Sequence, residues 1–343
     1  MQTQSLIKTE QIDKSWQRYL AEAVTDPKLL LERLGLPLAL LPQLQAANQQ
    51  FSLRVPQPFL DLIEPGNIND PLLQQVLPQA TELEVHPGYN HDPLQEADSN
   101  PQQGVIHKYH GRLLLVISGG CGINCRYCFR RHFPYQQNQL GAEQWQQALD
   151  YLRLHPEVDE VIFSGGDPLV TPDSRLFKML EDLEQLPQLK RLRFHTRLPV
   201  VIPQRLTSEF NQRLQQSHLQ SIIVLHINHP NEVSELLKDL LQPLRQSGIT
   251  LLNQSVLLKG INDCSETLAT LSHKLFDAGI MPYYLHRLDP VAGAAHFDIA
   301  TTRAQQLAGE LSVKLPGYLV PKLTQEIPGA PAKVQLLPEL PSV

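Results

Sequence analysis

Three cysteines, Cys121, Cys125 and Cys128, are bunched in SGGCGINCRYCFRRHF, and a fourth, Cys264, lies far down the chain. Thiolates spaced C-x3-C-x2-C suit a cubane iron–sulfur cluster held through three of its irons, the fourth being free to bind a small molecule. Two other readings stand beside it. A structural zinc normally takes two separated pairs of ligands, and an electron-transfer cluster needs a fourth cysteine nearby. Cys264 could complete either, although it falls at the predicted start of a helix. A second signal is SGGD at 164–167, which alone is weak, because Gly-Gly after a strand is commonly a turn. Four cysteines so distributed look like ligands in a reducing compartment, not like the disulfide framework of a secreted protein.

Chemistry of this kind needs a scaffold, and the sequence from Leu113 onward supplies one. Short β-rich runs at 113–118, 160–166, 192–197, 222–227, 250–258 and 281–289 alternate with helical patterns near 142–154, 173–186, 203–217, 231–247, 265–278 and 301–313. Such alternation implies βαβ units with right-handed crossovers and a parallel sheet. Six units favour an incomplete barrel over a closed eightfold one, with functional groups at the C-terminal ends of the strands. The cysteine loop follows the first strand and SGGD the second. Before Leu113 the chain is rich in Gln, Leu and Pro, with short amphipathic helices expected at 14–23, 27–34 and 40–49. The stretch 87–103 has no periodicity and reads as a long loop.

Composition excludes several classes. The net charge is −6 with both signs interspersed, so no basic stripe points to nucleic acid. Residues 1–14 lack the apolar core of a signal peptide, and no apolar run is long enough to cross a bilayer. A cytoplasmic protein with no membrane or nucleic-acid partner is expected.

The cysteine spacing, Tyr127 before the last cysteine, and the place of the loop after strand one resemble the radical S-adenosylmethionine (SAM) superfamily. There the open iron chelates SAM, whose reductive cleavage yields a 5′-deoxyadenosyl radical that abstracts hydrogen from the substrate. The resemblance places Tyr127 against the adenine and makes Ser164, Gly165, Gly166 and Asp167 the glycine motif that contacts SAM. A narrower resemblance rests on HKYHGR (107–112), CRYCFRR (125–131), SGGD, TRLPVVIPQR (196–205), HINHPNE (226–232), NQSVLLKGIND (253–263) and YYLHRLDPVAGAAHF (283–297). Together these are similar to the lysine 2,3-aminomutase family, which also uses pyridoxal phosphate. The implied architecture is an α/β radical SAM partial (β/α)6 barrel at 105–300. It would follow an N-terminal helical segment, 1–104, and precede a short C-terminal segment, 301–343, bearing the pyridoxal phosphate lysine.

That lysine corresponds to Lys333 in EIPGAPAK, where Ala and Pro replace several of the family's glycines. The resemblance also puts Lys108, Tyr109 and Arg112, with Arg197, Asn253 and Gln254, around the pyridoxal phosphate. Arg130 matches the family's clamp on the substrate carboxylate, a task suited to a planar guanidinium. Asp289 and Glu326 match its ligands for the distal ammonium, Glu326 standing where the family has Asp. Two acids at that end would repel a glutamate side chain.

The chain ends ten residues after Lys333 and has no cysteine beyond Cys264, so the extension that binds zinc in longer members is not expected, nor is zinc. It thus resembles the short bacterial form that makes (R)-β-lysine for elongation factor P. Implied partners are free lysine, a flavodoxin- or ferredoxin-type reductant and an elongation factor P ligase, with a monomer or small homo-oligomer expected. An aminomutase of lysine catabolism or osmolyte synthesis, and an iron–sulfur or pyridoxal-phosphate-binding protein without turnover, are the alternatives.

Overall fold

The computed structural model describes residues 15–341; the expectation about a leader at 1–14 lies outside them. Nine strands form one sheet in sequence order, β1 (Val105–Tyr109), β2 (Arg112–Ser118), β3 (Glu160–Gly165), β4 (Arg191–Thr196), β5 (Gln220–His226), β6 (Thr250–Val256), β7 (Met281–His286), β8 (Lys322–Gln325) and β9 (Val334–Gln335). Strands β2 to β8 run parallel, while β1 and β9 are antiparallel edges. No pairing joins β1 to β9 among the described residues, so the barrel is open.

All six expected strands are present. The seventh parallel strand, β8, is only four residues long and carries Lys322 on its exposed side, too little alternation to announce itself. Helices α6 (Ala142–Leu154), α7 (Asp173–Glu184), α9 (Ser208–Gln216), α10 (Glu235–Gln246), α11 (Ser265–Asp277) and α12 (Thr301–Lys314) cross between the strands, and the short α8 (Leu198–Val201) follows β4. Two start later than their periodicity suggests. Pro203 breaks the first turn before Thr207 caps α9, and Ser234 caps α10 past Pro230.

The N-terminal part contributes α1 (Ser15–Ala21), α2 (Pro27–Arg33), α3 (Leu41–Gln50), α4 (Gln57–Leu60) and α5 (Pro71–Gln74). Their buried faces share one core with the strands: Trp16, Leu31, Phe59 and Leu73 pack in the same cluster as Leu115, Phe163 and Phe194. This part grips the cysteine loop directly. Arg126, wholly buried, donates to both Glu82 oxygens at 2.9 and 2.6 Å and to Phe51 O at 2.6 Å. The backbone N–H groups of Asn124 and Arg126 donate to Arg54 O and Gln75 O.

At the other terminus the chain returns over α12. A Cβ on Gly309 would meet Glu339 O at 1.8 Å, so only glycine lets the two backbones approach this closely. Gln305 Nε2 donates to Leu337 O and Glu339 N to Gln305 O, which fixes the segment that follows Lys333.

Candidate active site

One cavity of about 770 Å³ opens at the C-terminal ends of the strands and is lined by Cys121, Cys125, Cys128, Arg130, Ser164 to Asp167, Asp289, Glu326 and Lys333 among others. Its cysteine end is built from two interlocked glycine turns. Gly166 N donates to Ser118 O and Asp167 N to Gly120 O, both at 2.8 Å. Gly165 has φ +122°, and a Cβ there would lie 2.2 Å from Ser118 O; one on Gly166 would lie 2.3 Å from Gly120 O and 3.1 Å from Cys121 Sγ. The two glycines at the end of β3 therefore let the SGGD backbone press against the cysteine loop, which side chains would prevent.

The three thiols share this space. Burial pushes the Cys121 thiol well above its ordinary pKa, with Cys128 adding to the effect, and burial with the neighbouring Cys125 pushes Cys128 up to about 12. A metal ion bound among them would draw those protons off, as iron does. The donor set and its glycine shoulder thus fit a three-cysteine iron–sulfur cluster with a small polar ligand beside it. Cys264 is exposed, bonded to Thr267 Oγ1 at 3.0 Å, and is not part of the cavity wall.

Asp167 faces a different task from a ligand contact by its carboxylate. Its oxygens accept from Thr196 Oγ1 at 2.7 Å and from the N–H groups of Leu169, Arg197 and Leu198 at 2.7–2.9 Å, pinning the end of β3 to that of β4. Tyr127 is likewise engaged: its ring is 4% exposed and packs edge-on to Phe297. Its hydroxyl meets Asn228 Nδ2, Arg197 Nη1 and His226 Nε2 at 2.5–2.8 Å.

Two residues expected around the pyridoxal phosphate are engaged by protein partners. The Arg197 guanidinium reaches the cysteine end, with Nη1 2.7 Å from Cys125 Sγ and Nη2 donating to Gln75 Oε1 and Glu232 Oε2 at 2.7 and 2.8 Å. Asn253 lies on the opposite face of β6 from Gln254, as alternation requires. It is 2% exposed and bonded to both backbone groups of Ile227, while Gln254 lines the cavity.

The other end of the cavity is made of charges. The β8–β9 pairing sets Gln325 opposite Val334, and continuing that register sets Glu326 opposite Lys333, whose Nζ contacts Glu326 Oε2. The acid-to-lysine spacing in EIPGAPAK is thus that of a hairpin turned at Gly329, φ +77°. Lys108 Nζ lies 3.1 Å from Glu326 Oε1, 3.3 Å from Leu94 O and 3.8 Å from Glu96 Oε1. Lys108 and Tyr109 both line the cavity although they are consecutive, because the β1–β2 register slips between Ile106 and Tyr109. Arg112 lies over the Tyr109 ring, 4.4 Å from its centre.

Arg130 donates from Nε and Nη2 to the two Glu96 oxygens, 2.7 Å each, and Nη1 lies 3.2 Å from Ser164 Oγ and 3.3 Å from Gly165 O. Arg130, Glu96, Lys108, Glu326 and Lys333 so form a buried chain of alternating charge. Burial would raise the Glu326 carboxyl, but Lys333 and Lys108 pull it down to about 2. Asp289 goes the other way: burial and the Glu326 charge push it up to about 7. Burial, and then Lys333, lowers His286 to about 3, and burial takes His195 well below its ordinary value, so both rings are neutral. His195 Nε2 and Arg193 Nε are buried with no protein partner, polar atoms left over for a ligand in the space beside Lys333. With the pairable cations Lys108 and Arg112, this end fits pyridoxal phosphate.

Glu96, His195 and Arg193 were not singled out from the sequence. The histidine and arginine stand at alternate positions of β4, a period-2 signal that was available. Glu96 stands in the aperiodic stretch 87–103, where no local pattern marks it.

The comparisons with known proteins agree with this geometry. The radical SAM superfamily model matches residues 115–271. The L-lysine 2,3-aminomutase of Haemophilus influenzae is 52% identical over 321 residues, covering 94% of this chain and 95% of that protein. That of Escherichia coli is 51% identical over 324 residues, covering 94% of each. The L-lysine 2,3-aminomutase of Clostridium subterminale is 36% identical over 281 residues, which is 82% of this chain and 67% of the longer protein. Identity at that level over nearly whole chains, on a site holding the cysteine triplet, the glycine turn and the charged end in one cavity, leaves one conclusion: the chain belongs to the lysine 2,3-aminomutase family of radical SAM isomerases.

Proposed function

We propose that the protein converts free (S)-α-lysine to (R)-β-lysine, using a [4Fe–4S] cluster on Cys121, Cys125 and Cys128, SAM, and pyridoxal phosphate attached to Lys333. The observation that carries this reading is the distribution of charge along one cavity. Arg130 stands at the cysteine end, while Asp289 and Glu326 stand beside Lys333, so the two ends of a long cationic amino acid are both answered. When bound, the cluster with SAM supplies a carbon radical able to abstract hydrogen, and pyridoxal phosphate supplies a carbonyl for the amino group and a conjugated ring to delocalise an unpaired electron.

The chain's own residues bind and orient. The Arg130 guanidinium takes the α-carboxylate through N–H groups that Glu96 does not use. Glu326 and Asp289 hold the ε-ammonium, which favours the charged form of Asp289 and so offsets the burial that raises it. Lys333 gives up its ion pair with Glu326 on attachment, which frees an acceptor for the incoming ammonium. Neutral His195 and His286 crowd the same wall without adding to its cations.

Resemblance to the short bacterial form supports a place upstream of elongation factor P, with a flavodoxin or ferredoxin as reductant. Anaerobic turnover of lysine, ornithine, arginine and glutamate under one reductant tests the substrate: lysine should give β-lysine fastest, and faster reaction of glutamate or arginine overturns it. Borohydride fixation of bound pyridoxal phosphate with peptide mapping should label Lys333; label on another lysine removes the anchor. Deleting the gene should strip the β-lysyl increment from the mass of elongation factor P, and an unchanged mass would sink that role.

A further inference from the structure

The chain of alternating charge includes one carboxylate to which the reading above gives no substrate contact. Glu96 is 5% exposed, in a 3₁₀ turn, Glu96–Ser99, within an otherwise irregular stretch. Its surroundings hold it firmly. Gln95, immediately before it, has φ +47°, the left-handed region that a residue with a Cβ enters only when neighbouring contacts require it. Glu96 N donates to Asp92 Oδ1 at 3.0 Å, and Asn90 pairs through its backbone with Pro290 O and Ala292 N beyond β7, straddling Val291. The segment is thus built across the top of the barrel so as to aim this side chain inward.

The pairing itself is edge-specific. Glu96 occupies the Nε–Nη2 edge of Arg130 with two bonds of 2.7 Å, whereas the Nη1–Nη2 edge is held only by contacts of 3.2 and 3.3 Å to Ser164 Oγ and Gly165 O. A guanidinium has two edges that can each bind a carboxylate. The same Glu96 approaches Lys108, which reaches on to Glu326 at the other end of the cavity. We propose that Glu96 is a positioning and specificity residue: it holds Arg130 by one edge so that the other meets the substrate α-carboxylate, and through Lys108 it fixes the span between that end and the Glu326 end. The inference rests on the lysine reading and deepens it. Glu96 stays in place when substrate binds and is not displaced by it.

The experiment compares Glu96→Gln and Glu96→Asp with wild type in the fully loaded enzyme. Iron content, the spectral response of the cluster to SAM and bound pyridoxal phosphate should be unchanged in both. In Glu96→Gln the KM for lysine, and its Kd read from the absorbance shift of pyridoxal phosphate, should rise about tenfold while kcat stays within about threefold, because a binding geometry has been lost and not a reacting group. The preference for lysine over ornithine should shrink, and Glu96→Asp should recover part of both. A lower KM in Glu96→Gln would mean that Glu96 competes with substrate, and overturns the proposal; so do an unchanged KM and a fall in kcat alone. Should Glu96→Gln fail to load, Glu96→Asp decides, its KM raised or not. If the wild-type enzyme itself does not rearrange lysine, the parent reading fails and not this one.

Discussion

The two ends of the cavity are built on opposite principles. At the cysteine end, protein polar groups answer one another: Asp167 accepts four donors, and Arg197, Glu232, Gln75, Asn228 and Tyr127 close a network around Cys125. From the lysine end, charges answer mainly charges in a chain that runs back to the cysteine end, Lys333 to Glu326 to Lys108 to Glu96 to Arg130, and Asp289 is left with its carboxyl pushed up to about 7. The first arrangement gives a rigid seat whose members cannot be exchanged without loss of fold. The second gives an ion pair, Lys333 with Glu326, whose cation a ligand's ammonium can replace, while Glu96 keeps its hold on Arg130. Rigidity is placed where a cluster must be held, and exchangeability where a substrate must come and go.

The comparison breaks most visibly at the cysteines. Cys121→Ala, Cys125→Ala and Cys128→Ala should each lose the iron and all turnover, measured by iron content and anaerobic assay, while Cys264→Ala keeps both. The reverse outcome for Cys121 and Cys264 would void the ligand set. A smaller but still large effect is expected from Arg197→Gln. It leaves Glu232, wholly buried, without its cation, which should cost on the order of 3–5 kcal/mol in a denaturation midpoint. A loss under about 1 kcal/mol would show the network to be less rigid than its geometry indicates.

Glu326→Gln moves the test to the other end. Lysine turnover should fall roughly tenfold or more, since a contact with a charged ligand group is lost from a buried site. Cluster content should stay at the wild-type level, and Glu326→Asp, which keeps the charge, should be much milder. Equal losses in the Gln and Asp variants would mean that length, and not charge, is what the position supplies.

Much of this was legible in the sequence because it is local. The cysteine spacing, the glycine pair at the end of β3 and the six alternating strands lie within single windows, where period and turn chemistry act directly. The pairing of Glu326 with Lys333 was partly legible through a spacing whose cause, a hairpin, emerged only with β8 and β9. What remained hidden depends on chain segments meeting over long separations. The family resemblance sets Arg197 around the pyridoxal phosphate, yet Glu232 and Gln75 draw its guanidinium to Cys125. The resemblance names Asn253 together with Gln254, and strand alternation puts these adjacent residues on opposite faces. Glu96 lies in a stretch with no period at all, and its role depends on Arg130 and Lys108 from two other elements.

The subtlest consequence of the contrast concerns two buried aspartates. Burial raises both Asp167 and Asp289, but Thr196 and three backbone N–H groups oppose that for Asp167, whereas Glu326 adds to it for Asp289. Asp289 has an ordinary value of 3.8 when unfolded and about 7 when folded. Between those values the folded protein binds the extra proton, so stability from this group is greatest below 3.8 and is lost as pH rises through 7. Glu326, lowered from 4.5 to about 2, acts in the opposite sense and in a lower window, gaining as pH rises from about 2 to 4.5 and constant above that. From pH 5 to 8 Asp289 lowers stability as pH rises, while His286 and His195, lowered from 6.5, oppose it up to that value, so the comparison with Asp289→Asn isolates the share of Asp289. Substrate-free wild type should lose on the order of 2 kcal/mol relative to Asp289→Asn over that range, read from urea midpoints at each pH. Asp167→Asn should instead destabilise throughout, because its amide nitrogen would face donors. With lysine present the sign reverses for function: the wild-type KM should rise as pH falls below about 7, where binding must first expel the proton, and the Asp289→Asn profile should be flat there. Parallel stability curves for wild type and Asp289→Asn would remove the raised carboxyl, and with it the claim that this end of the cavity is kept short of partners for the substrate's ammonium.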